Sequence, residues 1–483
     1  MNRYDVLIIG AGLGGLTSGA LLARQGFRVG VVEKNQRLGG YGVSYYSHGH
    51  RFDIATQALG GCGKKGIVRQ ILAELKLLDK VRFLACEPAR VYYLPDSEKP
   101  FIQHGFISEQ CSSLIREFPE YKKAIRACYA TFEKIFTELQ AIAEFSGDLL
   151  FGFAKNFPGL AEYSGITVKE FFDQLHLPVP LQSRIAARAE YCLLPLDRLS
   201  LVGFSCTEMS YGDGAWMVAG GVNQLVRILA QYIRDNGGSI IPGTRVRRLL
   251  TDNGKVSGIE DTRGKKLAAN GVIMAADGRN ILAGSGELFD SFANKYKKLE
   301  RSGSYFVCYY QVPASCVKDM AANIEVHDHK QIIAVKEKIR VYYILVPSLV
   351  DRDSAPTGFH SFCISAPLAR GISPDKNDRE KLRAELEKRV VKKFPSLANN
   401  LRFLFALTPD HFSAMTGNTG GAAYGWAQTP AQAGIYRLGN TTPISGLYLA
   451  GHWTMPGGGI AGVMTSGKLC TQAFVNKNGK IKN

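Results

Sequence analysis

Residues 4–44 read YDVLIIGAGLGGLTSGALLARQGFRVGVVEKNQRLGGYGVS. Tyr4–Ile9 is a short apolar run rich in Val and Ile, the pattern of a strand buried on both faces. It runs into Gly10-Ala11-Gly12-Leu13-Gly14-Gly15, a G-x-G-x-x-G turn. A helix follows, with Leu13, Leu16, Ala20 and Ala23 at helical spacing, and ends near Gly26. Arg28–Val32 is a second apolar strand, with Glu33 and Lys34 at its carboxyl end. Gly10 allows the tight turn, Gly12 lets backbone approach a pyrophosphate, and Gly15 lets helix and strand pack closely. The helix N-terminus turns unpaired N–H groups and a positive dipole end toward the phosphates. Glu33 is placed to accept hydrogen bonds from the ribose hydroxyls of an adenosine. Strand, turn, helix, strand and terminal acid in register predict a doubly wound α/β dinucleotide-binding unit.

The 483 residues carry 46% apolar and 21% charged side chains, enough for a sizeable core. No apolar run approaches the roughly 20 residues needed to span a bilayer. The first strand begins almost at once, so no signal peptide is expected. Ten scattered cysteines form no C-x-x-C pair, which argues against a zinc site and fits reduced thiols, hence a cytoplasmic protein. A formal charge of +17 attracts anions. No nucleic-acid-binding fold or basic–aromatic module accompanies it, so no nucleic-acid partner is expected. An anionic membrane surface, touched peripherally, is the expected partner of that charge. Nothing in the chain specifies an oligomeric state.

Arg37-Leu38-Gly39-Gly40-Tyr41-Gly42-Val43-Ser44 is a second Gly-rich turn just past Glu33. It resembles the R-x-G-G-R-x-x-S motif of the flavoprotein superfamily that includes amine oxidases and phytoene desaturases. Tyr41 stands where that motif often has a second Arg. The resemblance implies FAD threading past this loop, with Arg37 supplying charge near its pyrophosphate. Arg51-Phe52-Asp53 resembles the "RFD-x-G" stretch of the desaturase branch, with Ala55 replacing Gly, and Asp53 also suits a backbone cap. A helix over Val222–Asn236, a strand at Ile240-Ile241, a hairpin turning at Asp252-Asn253-Gly254 and a strand over Gly271–Gly278 then follow. By resemblance, Val246 meets the adenine side through its backbone, and Ala276 and Asp277 line the cofactor.

The last eighty residues contain LYLAGHWTMPGGGIAGVMTSGK, residues 447–468. It reads as a strand, a Gly-rich loop over Gly451–Gly459, and a helix from Ile460, which aims N–H groups at a ligand. Together with Tyr424-Gly425 and Thr429-Pro430, this stretch resembles the phytoene desaturase, carotenoid isomerase and retinol saturase family over nearly the whole length. That implies non-covalent FAD, with the helix N-terminus at Gly459 and Ile460 facing the pyrimidine end of the flavin. His452 replaces the Asp or Glu that many relatives carry after Ala-Gly. It is read either as a donor to a phosphate or flavin oxygen or as a packed side chain.

The expected architecture is a discontinuous, glutathione-reductase-type FAD domain (1–85, 214–285, 405–483) with an inserted mixed α+β substrate domain (86–213, 286–404). Pro119–Phe145 reads as a long helix. Leu149–Leu160 is apolar, and is either core or a membrane-touching lip. No Ser/His/Asp order, metal spacing or paired carboxylates mark a catalytic group. Glu208, Tyr211, Asp213 and His411 are the polar candidates near the flavin. The family implies an oxidoreductase acting on C–C or C=C bonds of an elongated isoprenoid or carotenoid-like lipid. A cis–trans polyene isomerase without net redox, and an amine-oxidase-like enzyme for polar substrates, share the same motifs.

Overall fold

The computed structural model describes residues 4–54, 58–142, 153–334 and 337–479. Side chains of 329–338 are outside that description, as are Ala55 and residues 149–152. Two seven-stranded sheets organise the chain. In the first, strand Tyr4–Ile9 lies between Val29–Val32 and Lys266–Met274, parallel to both, and Val29–Val32 is followed outward by Ser239–Ile241. Strand Leu447–Leu449 adds parallel to the far side of Met274. Val29–Val32 is buried at every position, as a run without alternation demands. The hairpin Val246–Asp252/Lys255–Asp261 extends this sheet antiparallel, and its turn has positive φ at both Asn253 and Gly254, as a type I′ turn requires.

On one face, helix Leu13–Arg24 packs between helix Asn223–Asp235 and the last helix, Ile460–Asn478. The side chains of Leu16, Leu225, Leu229, Met464 and Cys470 are buried together there. Gly467 makes the approach of the first and last helices possible. A Cβ on it would stand 2.6 Å from the Gly14 carbonyl oxygen and 2.8 Å from Thr17 Cβ.

The second sheet runs in the order 402–407, 304–313, 359–368, 337–345, 323–334, 90–93, 101–103. It is antiparallel except where Asn323–Ala334 meets Arg90–Tyr93. Strand Arg402–Leu407 runs through the boundary expected at residue 404 and belongs with this sheet. A helical group covers it, centred on Lys122–Ala141 and Leu201–Ser210, with Phe132 edge-on to Phe204 at 5.3 Å. Phe157 and Leu160 are buried in that helical core, while Ala154, Lys155, Asn156 and Pro158 beside them are exposed. No helix among the described residues is long and apolar enough to cross a membrane.

Candidate cofactor and substrate cavity

The carboxyl ends of the parallel strands all open on one side, and the loops 10–15, 33–42, 275–278 and 451–459 gather there. Open α/β sheets bind their ligands at this edge. A cavity of about 1450 Å³ begins between these loops and continues past Ala58–Gly61 to the helix Lys122–Ala141. Ligand pockets ordinarily span about 300–1,000 Å³. This one is large enough for a dinucleotide and a second elongated molecule.

The cradle is built by close backbone approach. Gly10 has φ +104°, and a Cβ there would touch the Ala275 carbonyl oxygen at 2.8 Å. A Cβ on Gly15 would stand 2.2 Å from the Gly10 carbonyl oxygen, so this glycine seats the helix under the loop. Gly12 and Gly459, by contrast, have open space where a Cβ would be. Both are N-cap residues, of the first and last helices, and neither helix has a capping side chain or an acid in its first turn. Two bare helix N-termini thus face one cavity, each able to donate N–H groups to an anion or to a ring with developing negative charge. This geometry fits FAD.

Gly10, Gly12, Leu13, Gly14, Glu33, Lys34, Gly39, Gly40, Tyr41, Val246, Ala276, Asp277, Gly451, His452, Gly459 and Ile460 all line this cavity. Gly15 lies beneath it. Arg37 is not among these lining residues: its guanidinium donates to the Ser44 carbonyl and lies 5.0 Å from the Tyr45 ring centre. The motif fixes its place in the chain, and the carbonyl and ring hold its side chain.

Glu33 has a role in the protein itself. One carboxylate oxygen accepts the Ala11 N–H at 3.0 Å and the other the Asn35 N–H at 3.0 Å, clamping the Gly-rich loop. Asp277 accepts from the Thr419 N–H and hydroxyl and pairs with Arg279 at 2.8 Å. Tyr41 donates to the Gly421 carbonyl at 2.9 Å, and burial holds its phenol protonated. Lys34 Nζ donates to the Ala414 carbonyl at 2.6 Å, and burial with nearby Arg245 lowers its pKa. Asp53 bonds to Ser44 and to the Val222 N–H at 3.1 Å, so it caps the helix that follows Val222 rather than its own neighbours.

His452 lies in the wall between Tyr41 and Trp453, with ring centres at 6.1 and 5.1 Å. Burial first, then Arg437, pushes its pKa down to about 4, so the ring is neutral at pH 7. Arg437 sits behind it. Its guanidinium donates to the carbonyls of His452 at 2.7 Å, Thr454 at 2.9 Å and Trp426 at 3.3 Å, tying two loops of the cavity wall together. A lone arginine outside any motif carries no sequence signal, and this one was not foreseen.

Of the polar candidates, Tyr211 and Asp213 line the cavity, whereas Glu208 and His411 do not. Glu208 is fully buried against Arg188 at 2.7 Å. His411 caps its helix through Thr408. Tyr211 donates to the Ala58 carbonyl at 2.9 Å, and Asp213 accepts the Lys65 N–H at 2.7 Å. Sequence reading passed over Tyr191 and Tyr305, which line the same region, and quoted Tyr424 only within a motif.

A fold of this kind with this cradle defines a flavoprotein, and its cofactor is FAD. The profile of the flavin-containing amine oxidoreductase family matches residues 13–474, and the chain belongs to that family. It is similar to the chloroplastic prolycopene isomerase of Arabidopsis thaliana, 26% identical over 97% of this chain and 82% of that one. It is also similar to the zeta-carotene-forming phytoene desaturase of Myxococcus xanthus, 25% identical over 97% of this chain and 93% of the relative. Its fold resembles an oxidoreductase from Methanosarcina mazei (TM-score 0.68, 19% identity, 97% and 99% of the two chains covered). Cyclohexylamine oxidase from Brevibacterium oxydans shares the fold too (TM-score 0.62, 16% identity, 99% of each chain covered).

Proposed function

We propose that the chain is an FAD-dependent oxidoreductase that desaturates or saturates carbon–carbon bonds of an elongated isoprenoid or carotenoid-like polyene. The observation that carries this reading is the length of the cavity. It runs from the cofactor loops to Tyr129, Phe136 and Leu139 on the helix Lys122–Ala141, room that a small polar amine has no use for. The name of the Myxococcus relative, a phytoene desaturase, supports it.

The flavin supplies two-electron chemistry when bound. Gly10 to Gly15, Glu33, Lys34 and Gly39 to Tyr41 would hold its adenine half and pyrophosphate, and Gly451 to Ile460 its ring end. Val246 would meet the adenine through its backbone. The chain's own contribution is to orient a long chain against the ring and keep water away from it.

The prolycopene isomerase relatives favour a second reading, cis–trans isomerisation without net redox. Anaerobic incubation of holoprotein with a cis-polyene, followed by mass and absorption spectra, decides between them. Loss or gain of two hydrogens supports the redox reading, and unchanged mass with a shifted absorption maximum supports the isomerase. Peroxide release with amines and no change in any polyene would overturn both.

The +17 charge supports peripheral contact with an anionic membrane, through which a lipid substrate would arrive. Holoprotein is expected to sediment with phosphatidylserine vesicles and to be released by added salt. Failure to sediment at low salt would remove the contact.

A further inference from the structure

Four tyrosines stand together in the cavity wall beside the last helix: Tyr191, Tyr211, Tyr305 and Tyr424. Tyr424 packs on Gly458, where a Cβ would stand 2.7 Å from its ring, one residue before the helix N-cap. Tyr191 stacks on Tyr211 with ring centres 5.6 Å apart. The hydroxyls differ in what they have left to give. Tyr211 donates its proton to the Ala58 carbonyl. Tyr191 accepts from the buried Arg90 guanidinium at 2.5 Å, and its own proton has no acceptor among the described residues. Tyr305 and Tyr424 share one hydrogen bond at 3.2 Å, which leaves one of their two protons without an acceptor among the described residues.

Two O–H protons on tyrosines that line the cavity, next to the Gly-rich loop before the last helix, are therefore left without an acceptor among the described residues. Burial raises the pKa of both Tyr305 and Tyr424, so they remain donors at neutral pH, and Tyr191 is among the groups that act on Tyr424. Behind Tyr191, Arg90 pairs with Glu325 in full burial, so the cation is fixed and polarises the hydroxyl it touches. A hydrocarbon laid here leaves both donors desolvated and unpaired, whereas an oxygen acceptor satisfies them. Sites built to hydrogen-bond a substrate oxygen discriminate strongly against the analogue that lacks it.

We infer that the substrate is an oxygenated polyene, with a carbonyl oxygen near its reacting carbons held by hydrogen bonds from Tyr191 and from the Tyr305–Tyr424 pair. This rests on the polyene reading above and adds the functional group that the site selects.

The test compares a linear C30 polyene with the same chain ending in an aldehyde, each titrated into FAD-loaded protein whose flavin bands are first verified. Missing flavin bands would count against the cofactor reading, separately from this one. The aldehyde is expected to bind at least about a hundredfold more tightly, with its absorption shifted to the red by the donated hydrogen bonds. Tyr191→Phe and Tyr424→Phe are each expected to shrink that preference at least about tenfold and to diminish the shift. Tyr211→Phe, whose hydroxyl is already spent on Ala58, is expected to preserve both. Equal or tighter binding of the hydrocarbon by flavin-loaded protein would overturn the inference. So would an undiminished preference in both flavin-loaded Tyr191→Phe and Tyr424→Phe.

Discussion

His452 shows how a side chain at a motif position can be tuned by a residue far outside it. Arg437 is almost wholly buried and has no carboxylate partner among the described residues, so its charge falls on its surroundings. Burial and that charge hold the imidazole neutral, with a pKa pushed down to about 4. The unfolded chain carries an ordinary histidine, which takes up a proton as pH falls below about 6.5. Between that pH and about 4 the unfolded state binds more protons than the folded one, so stability present above pH 6.5 is lost through this window. The loss from this ring is at most about 3 kcal/mol. Urea unfolding at pH 7 and pH 5 should therefore show a smaller acid loss for His452→Gln than for the natural protein. An identical loss would mean that the ring is not held neutral by the fold.

At the scale of elements, the packing of the first helix on the last positions both bare N-termini. Gly467→Ala drives a methyl into the Gly14 carbonyl, 2.6 Å away. The expected cost is about 1–3 kcal/mol, the usual range for overpacking. FAD retention after desalting should fall with it, because the Gly12–Gly15 turn shifts. Full FAD retention with unchanged stability would show that the two helices yield without cost.

These elements were legible in the sequence because a close approach admits only glycine and because the strand–turn–helix order repeats at both ends of the chain. The helix Leu201–Ser210 was not, since most of it is buried and it has no polar face to set a period. The motif placed Arg37 in the chain but did not announce its bond to the Ser44 carbonyl, because a motif specifies backbone position and not where a long side chain finds its acceptor. The Arg90–Glu325 pair joins residues 235 apart, and no local pattern announces such a partner.

For the whole molecule, the cavity joins the chain's beginning to its end. Residues 10–15 and 451–460 share one wall, so FAD should protect both together. Hydrogen exchange with and without FAD should show slower exchange in both segments, and a hundredfold excess over Kd should add about 2.7 kcal/mol of stability. Protection confined to residues 10–15 would separate the two halves of the groove. Sequence reading recovered this joining of the ends from paired Gly-rich loops. It placed the division at residue 404 inside a strand because Arg402–Leu407 carries no punctuation between its residues.

The contact of the first helix with the last also bears on how the protein is made. Ser18 donates to the Gly467 carbonyl, 449 residues further on. At about 5–20 residues per second, the N-terminal half of the groove waits roughly 20–90 s for its partner to leave the ribosome. During that interval the apolar face of the first helix has nothing from the last helix to cover it. The groove can close on FAD only once the last helix, Ile460–Asn478, has emerged to pack on the first. A nascent chain stalled before residue 447 would carry the whole Gly10–Gly15 motif and still lack the wall that completes its site.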